Sequence, residues 1–336
     1  MKYSVIIPTF NAEKTIEYCL NSVKSFYNEN TMEVIICDNQ SNDNTLKIAE
    51  KFPFKIIHNN EKQSASSTRN LGAINSTYDN LIFIDSDCVA PKNIITILEN
   101  TPNFNDSKCI AGNFSSKNIY KNFFSLYKTS YTHLKLKNKK MNVSNAAIMF
   151  IKKKYFLEVG MYDENIITME DDEFSIRFQA KGYTTVFNPN LEVDHYKKYN
   201  FVSLTKNDFS RAKQLVTILN INLRNNHVKE SSNWVGLYLR GLINCLLIML
   251  NIIVLSNIIF NYVPSFGGHS NFEFLILINL IYLLNNIDIF WFNLRTYGLI
   301  FSLMSLFFQI FTFLTIILAL FSGFVELIFK KLSKTS

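Results

Sequence analysis

Two stretches of this chain, residues 242–260 and 299–321, are dominated by Leu, Ile, Phe and Val. At 1.5 Å per residue, each is long enough as a helix to cross about 30 Å of hydrocarbon. Two such runs so close together constrain the chain more than any other feature. The C-terminal third is a membrane region, and a soluble core has to be built from what precedes it. Residues 1–232 do mix charge and hydrophobicity as a soluble domain does, and the apolar composition begins at Trp234. The organisation expected is a soluble domain over 1–232, a membrane region over 233–330 with two or three helices, and a basic tail over 331–336.

Three apolar segments can be distinguished in the membrane region, about 234–263, 274–292 and 298–329. The middle one carries Asn279, Asn285, Asn286 and Asp288, which are costly at mid-bilayer and usually face protein. Arg224, Lys229 and Arg240 place the soluble domain in the cytosol, and the lysine-free stretch 264–272 suits the outside. Three spans would put Lys330, Lys331 and Lys334 outside, whereas two keep them inside, so the tail favours an even number. The start, Met1 to Pro8, is too short an apolar run for a secretory signal and reads as a buried strand. The net charge of +7 suggests nucleic acid first, but no nucleic-acid module is recognisable. Lysines concentrated at 117–154, 197–206 and the tail fit an anionic membrane face instead. Cys19, Cys37, Cys88, Cys109 and Cys245 lack metal-binding spacing and suit buried thiols in a reducing compartment.

The first hundred residues alternate apolar runs at 5–8, 34–38, 55–58 and 81–85 with helical patterns at 12–25, 44–51 and 66–75. That alternation implies an α/β domain with a mostly parallel sheet covered on both faces. Ligands then bind beyond the carboxyl ends of the strands. A further strand is expected over 108–113. The apolar positions Tyr120, Phe123, Phe124, Tyr127, Tyr131 and Leu134 fit either a basic helix on a membrane surface or an ordinary helix packed on the core. A helix over 171–181 ends at Gly182, and a strand over 183–187 is closed by Asn188-Pro189.

Four polar clusters follow the strand ends. Pro8-Thr9-Phe10-Asn11 comes first. In the second, which begins at Asp38-Asn39, the Asp38 carboxylate can accept the ring N–H of a pyrimidine base; Ser41, Asp43 and Thr45 read as turn and cap formers. In the third, Ser64 to Gly72, small residues at a helix start leave N–H groups for an anion, with Arg69 one turn in. Taken alone, an arginine here is more often a surface ion-pair partner. The fourth is Asp85-Ser86-Asp87, two carboxylates that end a buried strand and offer hard oxygens to Mg²⁺ or Mn²⁺.

In their order and spacing, V-I-I-P-T-F-N, C-D-N-Q-S-N-D-N-T, S-T-R-N-L-G and F-I-D-S-D resemble family 2 glycosyltransferases. The likeness continues through Gly160–Glu164, Glu170–Arg177 and Lys181-Gly182-Tyr183, with Tyr162 in place of the usual Phe and Glu173 in place of the usual Asp. It covers about the first two hundred residues. The resemblance implies a GT-A fold, a Rossmann-like mixed sheet that binds a nucleotide-sugar donor. It puts Pro8, Thr9, Asn11, Asp38, Asn39, Arg69, Asp85 and Ser86 on the donor, with Thr9 and Asp38 at the base and Arg69 at the diphosphate. It also implies a cation, Mg²⁺ or Mn²⁺, held by Asp87 and Asp85, with His195 as a third ligand. Asp171 would be the general base of an inverting single displacement, supported by Glu170. The plainer reading of 168–173 is a capped helix start, with Thr168-x-x-Asp171 as a capping box and Glu173 paired to Arg177.

The expected enzyme is therefore a multi-pass glycosyltransferase of an inner or plasma membrane, its catalytic domain cytosolic. The expected donor is a UDP-sugar and the expected acceptor a lipid-linked glycan, in cell-surface glycan assembly. Asn113 and residues 142–146 are candidates for the acceptor side. Two other classes compete, a catalytically silent nucleotide-sugar-binding scaffold and a processive polysaccharide synthase. The intact acids argue against the first. The missing Q-x-x-R-W run, with 206–214 its nearest stretch, argues against the second.

Overall fold

A computed structural model describes residues 1–61, 64–137, 145–224, 234–260 and 271–333. The boundary expected at 232, residues 142–144 and 264–270, and Lys334 lie outside them. The chain divides into two compact units, Met1–Lys198 with Ile218–Trp234, and Tyr199–Thr217 with Val235–Ser336.

The first unit is an α/β domain. Its strands are β1 (Tyr3–Thr9), β2 (Met32–Asp38), β3 (Lys55–His58), β4 (Asn80–Ile84), β5 (Cys88–Val89), β6 (Cys109–Phe114), β7 (Ile148–Lys152) and β8 (Thr185–His195). Its helices are α1 (Ile16–Lys24), α2 (Thr45–Ala49), α3 (Ala65–Ile74), α4 (Ile94–Glu99), α5 (Phe123–Lys137), α6 (Lys153–Glu158) and α7 (Glu170–Ala180). The sheet order is β3-β2-β1-β4-β7-β6-β8-β5. Pairing is parallel from β3 to β4 and between β6 and β8. It is antiparallel at β4–β7, β6–β7 and β5–β8. The parallel half carries the near-continuous Val/Ile runs that a sheet covered on both faces requires.

Two details of this sheet shape the site. β1 and β4 pair only as far as Ile6–Phe83, and Pro8, which has no N–H to donate, follows at once. The ladder between β1 and β4 ends there, while β1 goes on pairing with β2 as far as Thr9 and Asp38. Gly72 lets α3 lie close over β1 and β2: a Cβ at this position would come within 2.4 Å of Ile6 and 2.7 Å of Cys37.

The strand expected to stop at Asn188-Pro189 instead runs on to His195 as β8. A register shift against β6, between Ala111 and Asn113, absorbs the interruption. Pro189 and Asn190 stand exposed there, a position where proline costs no ladder bond. Helix α5 buries Tyr127, His133 and Leu134 and leaves Phe123, Phe124 and Tyr131 half-buried, with the His133 carbonyl accepting from Asn113 Nδ2 at 3.2 Å. All five cysteines are free and buried.

The second unit contains the first part of α8 (Phe201–Arg224) together with α9 (Trp234–Phe260), α10 (Asn271–Asn285), α11 (Ile287–Tyr297) and α12 (Leu299–Leu332). Two segments, Leu239–Ile259 and Leu299–Lys330, are long and apolar enough to cross a membrane. The pair α10–α11 is a third candidate, bent by 60° at Asn286. Beside a buried apolar cluster around Leu247, Ile248, Tyr282 and Phe313, this unit buries amides and exposes large apolar side chains. Asn244, Asn286, Asn293 and Gln309 are buried, whereas Ile300, Phe307 and Phe321 are exposed. Apolar surface outside with amides inside is the arrangement a lipid solvent favours. Asparagines pair across α9 and α10 in antiparallel register: Asn285 to Asn244 at 2.8 Å, Asn279 to Asn251 at 2.9 Å and Asn257 to Asn271 at 3.4 Å.

Candidate active site

The donor-side residues gather at the carboxyl ends of β1, β2 and β4. Thr9 and Asp38 lie opposite each other in register, and the Thr9 hydroxyl donates to Asp38 Oδ1 at 3.3 Å. The Ser41 N–H donates to Asp38 Oδ2 at 3.1 Å, and His58 Nδ1 stands 3.9 Å from the same oxygen. Asp38 is thus held in one orientation at the strand tip. Asn11 adopts a left-handed φ of 47°, which Asn tolerates better than most residues. Its carboxamide oxygen accepts from the Asn42 N–H at 2.9 Å, joining the β1 and β2 turns. Asp43 and Thr45 reinforce that join by accepting from the N–H groups of Glu13 and Ala12. Asn39 is buried and accepts from Asn59, which also donates to Ser67.

Helix α3 starts beside these residues, with one of its first N–H groups capped. Ser64 caps it, accepting from the Ser67 N–H at 3.0 Å. Arg69 is buried, and its two terminal nitrogens bind carboxylates from distant parts of the chain. Nη2 donates to Asp85 Oδ1 at 2.6 Å and Nη1 to Glu170 Oε1 at 2.7 Å. Its guanidinium carbon lies 5.7 Å from the centre of the Tyr162 ring. Burial works to deprotonate Arg69, but the two carboxylates outweigh it and hold the proton more firmly than usual. The residue expected at the diphosphate is therefore, in this structure, the tie between the end of β4 and the start of α7.

Asp85 and Asp87 turn to different partners, with half-buried Ser86 between them. Asp85 faces Arg69, while Asp87 Oδ2 lies 3.3 Å from His195 Nε2. The β5–β8 pairing sets that approach by placing Cys88 opposite His195, and the His195 ring stacks on Phe114 at 4.6 Å. Burial raises the Asp87 pKa, but His195 and Lys197 overcome this and hold the carboxylate well below the usual range. Among the described residues, no three His, Cys, Asp or Glu side chains form a metal-holding group. Asp87 and His195 do supply one hard oxygen and one imidazole nitrogen. With phosphate oxygens and water completing the shell, that set suits Mn²⁺, which accepts imidazole, better than Mg²⁺, which prefers oxygen ligands throughout.

Helix α7 does not start with the expected capping box. Its N-cap is Met169, with φ at 64° and no side-chain cap bond. Left-handed backbone at a non-glycine residue costs energy, and here it directs Glu170 towards Arg69. Asp171 is half-buried and accepts from the Asp172 N–H at 3.0 Å, while Asp172 and Glu173 are buried. Glu173 does pair with Arg177, bidentately at 2.7 Å. Arg177 also donates to the carbonyls of Val159 and Met161, so this pair anchors α7 to the Gly160–Glu164 turn.

One residue that the sequence reading passed over latches the same turn. Asn70 Nδ2 donates to the Tyr162 carbonyl at 2.9 Å and to Glu164 at 3.1 Å, and Asn70 Oδ1 accepts from the Tyr162 N–H. The available signal was the adjacency of Arg69 and Asn70 in S-T-R-N, two neighbours that serve one junction. Asn113 is fully buried, and Asn145 donates to the Gly112 carbonyl.

A mostly parallel sheet with Thr9 ending β1, Asp38 ending β2 and Asp85 following β4 is a nucleotide-sugar-binding domain of the GT-A type. Residues 4–158 match the sequence profile of Glycosyl transferase family 2, and this stretch is a family 2 glycosyltransferase domain. The chain is 28% identical over 192 residues to the glycosyltransferase AglE of Haloferax volcanii, covering 55% of this chain and 63% of that protein. It is 29% identical over 233 residues to the poly(ribitol-phosphate) beta-N-acetylglucosaminyltransferase TarP of Staphylococcus aureus, covering 61% of this chain and 67% of that one. A Haemophilus influenzae glycosyltransferase matches at 27% identity, over 56% of this chain and 65% of its own length. The chain thus spans under two thirds of two of these relatives. In fold it is similar to the mannosyltransferase PcManGT of Pyrobaculum calidifontis, solved with GDP-Man and Mn²⁺. The TM-score is 0.56 at 12% identity, over 97% of this chain and 87% of that one.

Proposed function

We propose that this chain is an inverting glycosyltransferase that moves a sugar from a nucleoside-diphosphate donor, a UDP-sugar in the first instance, to a lipid-linked acceptor at a membrane. The observation that carries the reading is the Arg69 bridge. Through it, Asp85 at the end of β4 and Glu170 beside Asp171 belong to one site, although 85 residues separate them in sequence.

In this reading Asp38, fixed by Thr9 and the Ser41 N–H, takes the N–H of the base. Asp171 accepts the proton of the acceptor hydroxyl as its oxygen attacks the anomeric carbon, and the nucleoside diphosphate departs from the opposite face. One displacement inverts the centre, so the protein needs no nucleophile of its own. Glu170, oriented by Arg69, keeps Asp171 at its station. Asp87 and His195 would hold Mg²⁺ or Mn²⁺, which supplies neutralisation of the leaving diphosphate. The fold neighbour solved with GDP-Man and Mn²⁺ supports a donor and a cation of these classes. Support for a lipid-linked acceptor is indirect: the apolar segments would keep the chain at an inner or plasma membrane, where such acceptors reside. The catalytic unit on the cytosolic side and a role in cell-surface glycan assembly belong to the same proposal.

The test is release of nucleoside diphosphate by the full chain in detergent. UDP-, GDP- and dTDP-sugars would be screened with Mn²⁺ or with EDTA, and membrane lipid extract supplied as acceptor. The expected result is turnover of one donor, abolished by EDTA and restored by Mn²⁺. Equal turnover with and without metal would remove the cation from the account, and silence in lipid extract with activity on soluble acceptors would remove the lipid.

A further inference from the structure

The strongest polar anomaly lies in the second unit. Helix α11 and the first part of α12 run antiparallel about Gly298. Near that turn the Tyr297 and Phe301 rings lie 4.6 Å apart, and at the far end Gln309 Nε2 donates to Asn286 Oδ1 at 3.0 Å. The register between these two contacts sets Asn293 level with the Ser302–Ser305 turn of α12. Asn293 is fully buried, and neither its Nδ2 nor its Oδ1 has a hydrogen-bond partner among the described residues. The buried Ser305 hydroxyl is also unpartnered. The neighbouring amides are different: Asn244, Asn285, Asn286 and Gln309 bond to one another. An amide and a hydroxyl left without partners in an apolar interior are costly, and native structures rarely keep them without a compensating ligand.

We propose that Asn293 and Ser305 form a binding site, within the second unit, for an uncharged hydroxyl-bearing group. The chemistry follows from the donors and acceptors on offer. The carboxamide presents one donor group and one acceptor, and the serine hydroxyl can act as either. A hydroxyl answers all three. A phosphate or a metal cation would need a buried counter-charge. On this stretch Asp288 is paired with Arg240 at 2.9 Å, and Arg295 is exposed. The hydroxyl can come from a buried water, which typically makes about three such bonds, or from the headgroup of a lipid.

The experiment is thermal unfolding of the full chain in nanodiscs containing phosphatidylglycerol, comparing wild type with Asn293→Leu and Ser305→Ala. Asn293→Leu keeps the branched outline of the side chain and removes both amide atoms, but it adds volume. Overpacking alone can lower the Tm, so a loss counts for the proposal only where Ser305→Ala, which adds none, moves the same way. From an occupied site it should lower the Tm, by roughly 2–4 °C or more. If the amide is merely buried and unsatisfied, the same change relieves a cost and leaves the Tm unchanged or raises it, which would overturn the proposal. Ser305→Ala should shift in the same direction by less, and it decides the matter alone if Asn293→Leu does not fold. Repeating the comparison in detergent after exhaustive delipidation separates the sources. A destabilisation that persists identifies water, and one seen only with lipid identifies the headgroup.

Discussion

The two units use the same polar side chains in opposite surroundings. In the first, Asn70, Asn59 and Arg69 sit above a sheet of buried Ile, Val and Phe, and each joins loops that come from different strand ends. In the second, Asn244, Asn286 and Gln309 are buried alongside an apolar cluster that includes Leu247, Ile248, Tyr282 and Phe313, while many other Leu, Ile and Phe side chains face outward. The polar groups of the first unit assemble a site at an edge of the core. Those of the second hold helices together where the hydrophobic effect offers little drive for association.

Substitutions sharpen the contrast. Arg69→Ala should have the largest effect on stability, because it leaves Asp85 and Glu170 facing each other without their cation. About 3–5 kcal/mol is expected from breaking a buried pair in this way, read as a lower denaturant midpoint for the full chain. Lysine at this position should restore charge but not the two-armed geometry, and recover only part of the loss. Gly72→Ala should follow at about 1–3 kcal/mol, since its Cβ would drive into Ile6 and Cys37 and overpack the contact of α3 with β1 and β2. Asn244→Leu should be mildest, about 0.6–2 kcal/mol, because interhelical amide bonds in lipid are individually modest. It would be measured by unfolding in nanodiscs. A larger loss at Asn244 than at Arg69 would break the contrast.

How much of this was legible in the sequence depended on the distance between partners. Strand ends could be read because an apolar run followed by Asp or Asn is a local signal, and Asp38, Asp85 and Asp87 fall where that signal placed them. The Glu173–Arg177 pair was equally local. The function of Arg69 as a tie was not legible, because its partners lie 16 and 101 residues away. The continuation of β8 through Pro189 was hidden because a bulge, which depends on β6, absorbs the proline. The capping box was misleading for a related reason: α7 starts at a left-handed Met169 that sets Glu170 on Arg69, a partner 101 residues away. In the second unit the asparagines of the middle segment marked its weakness as a span. Their pairing across α9 and α10 depends on an antiparallel return that no local pattern encodes.

The measurement that tests the central claim most directly is donor binding and turnover in Asp171→Asn, with Asp172→Asn as control. Asp171→Asn should bind the nucleotide sugar with unchanged affinity by calorimetry while turnover falls by about 10²–10⁴-fold, and Asp172→Asn should fall far less. Turnover that survives in Asp171→Asn and collapses in Asp172→Asn would contradict the account, because the base would then lie one residue further along α7.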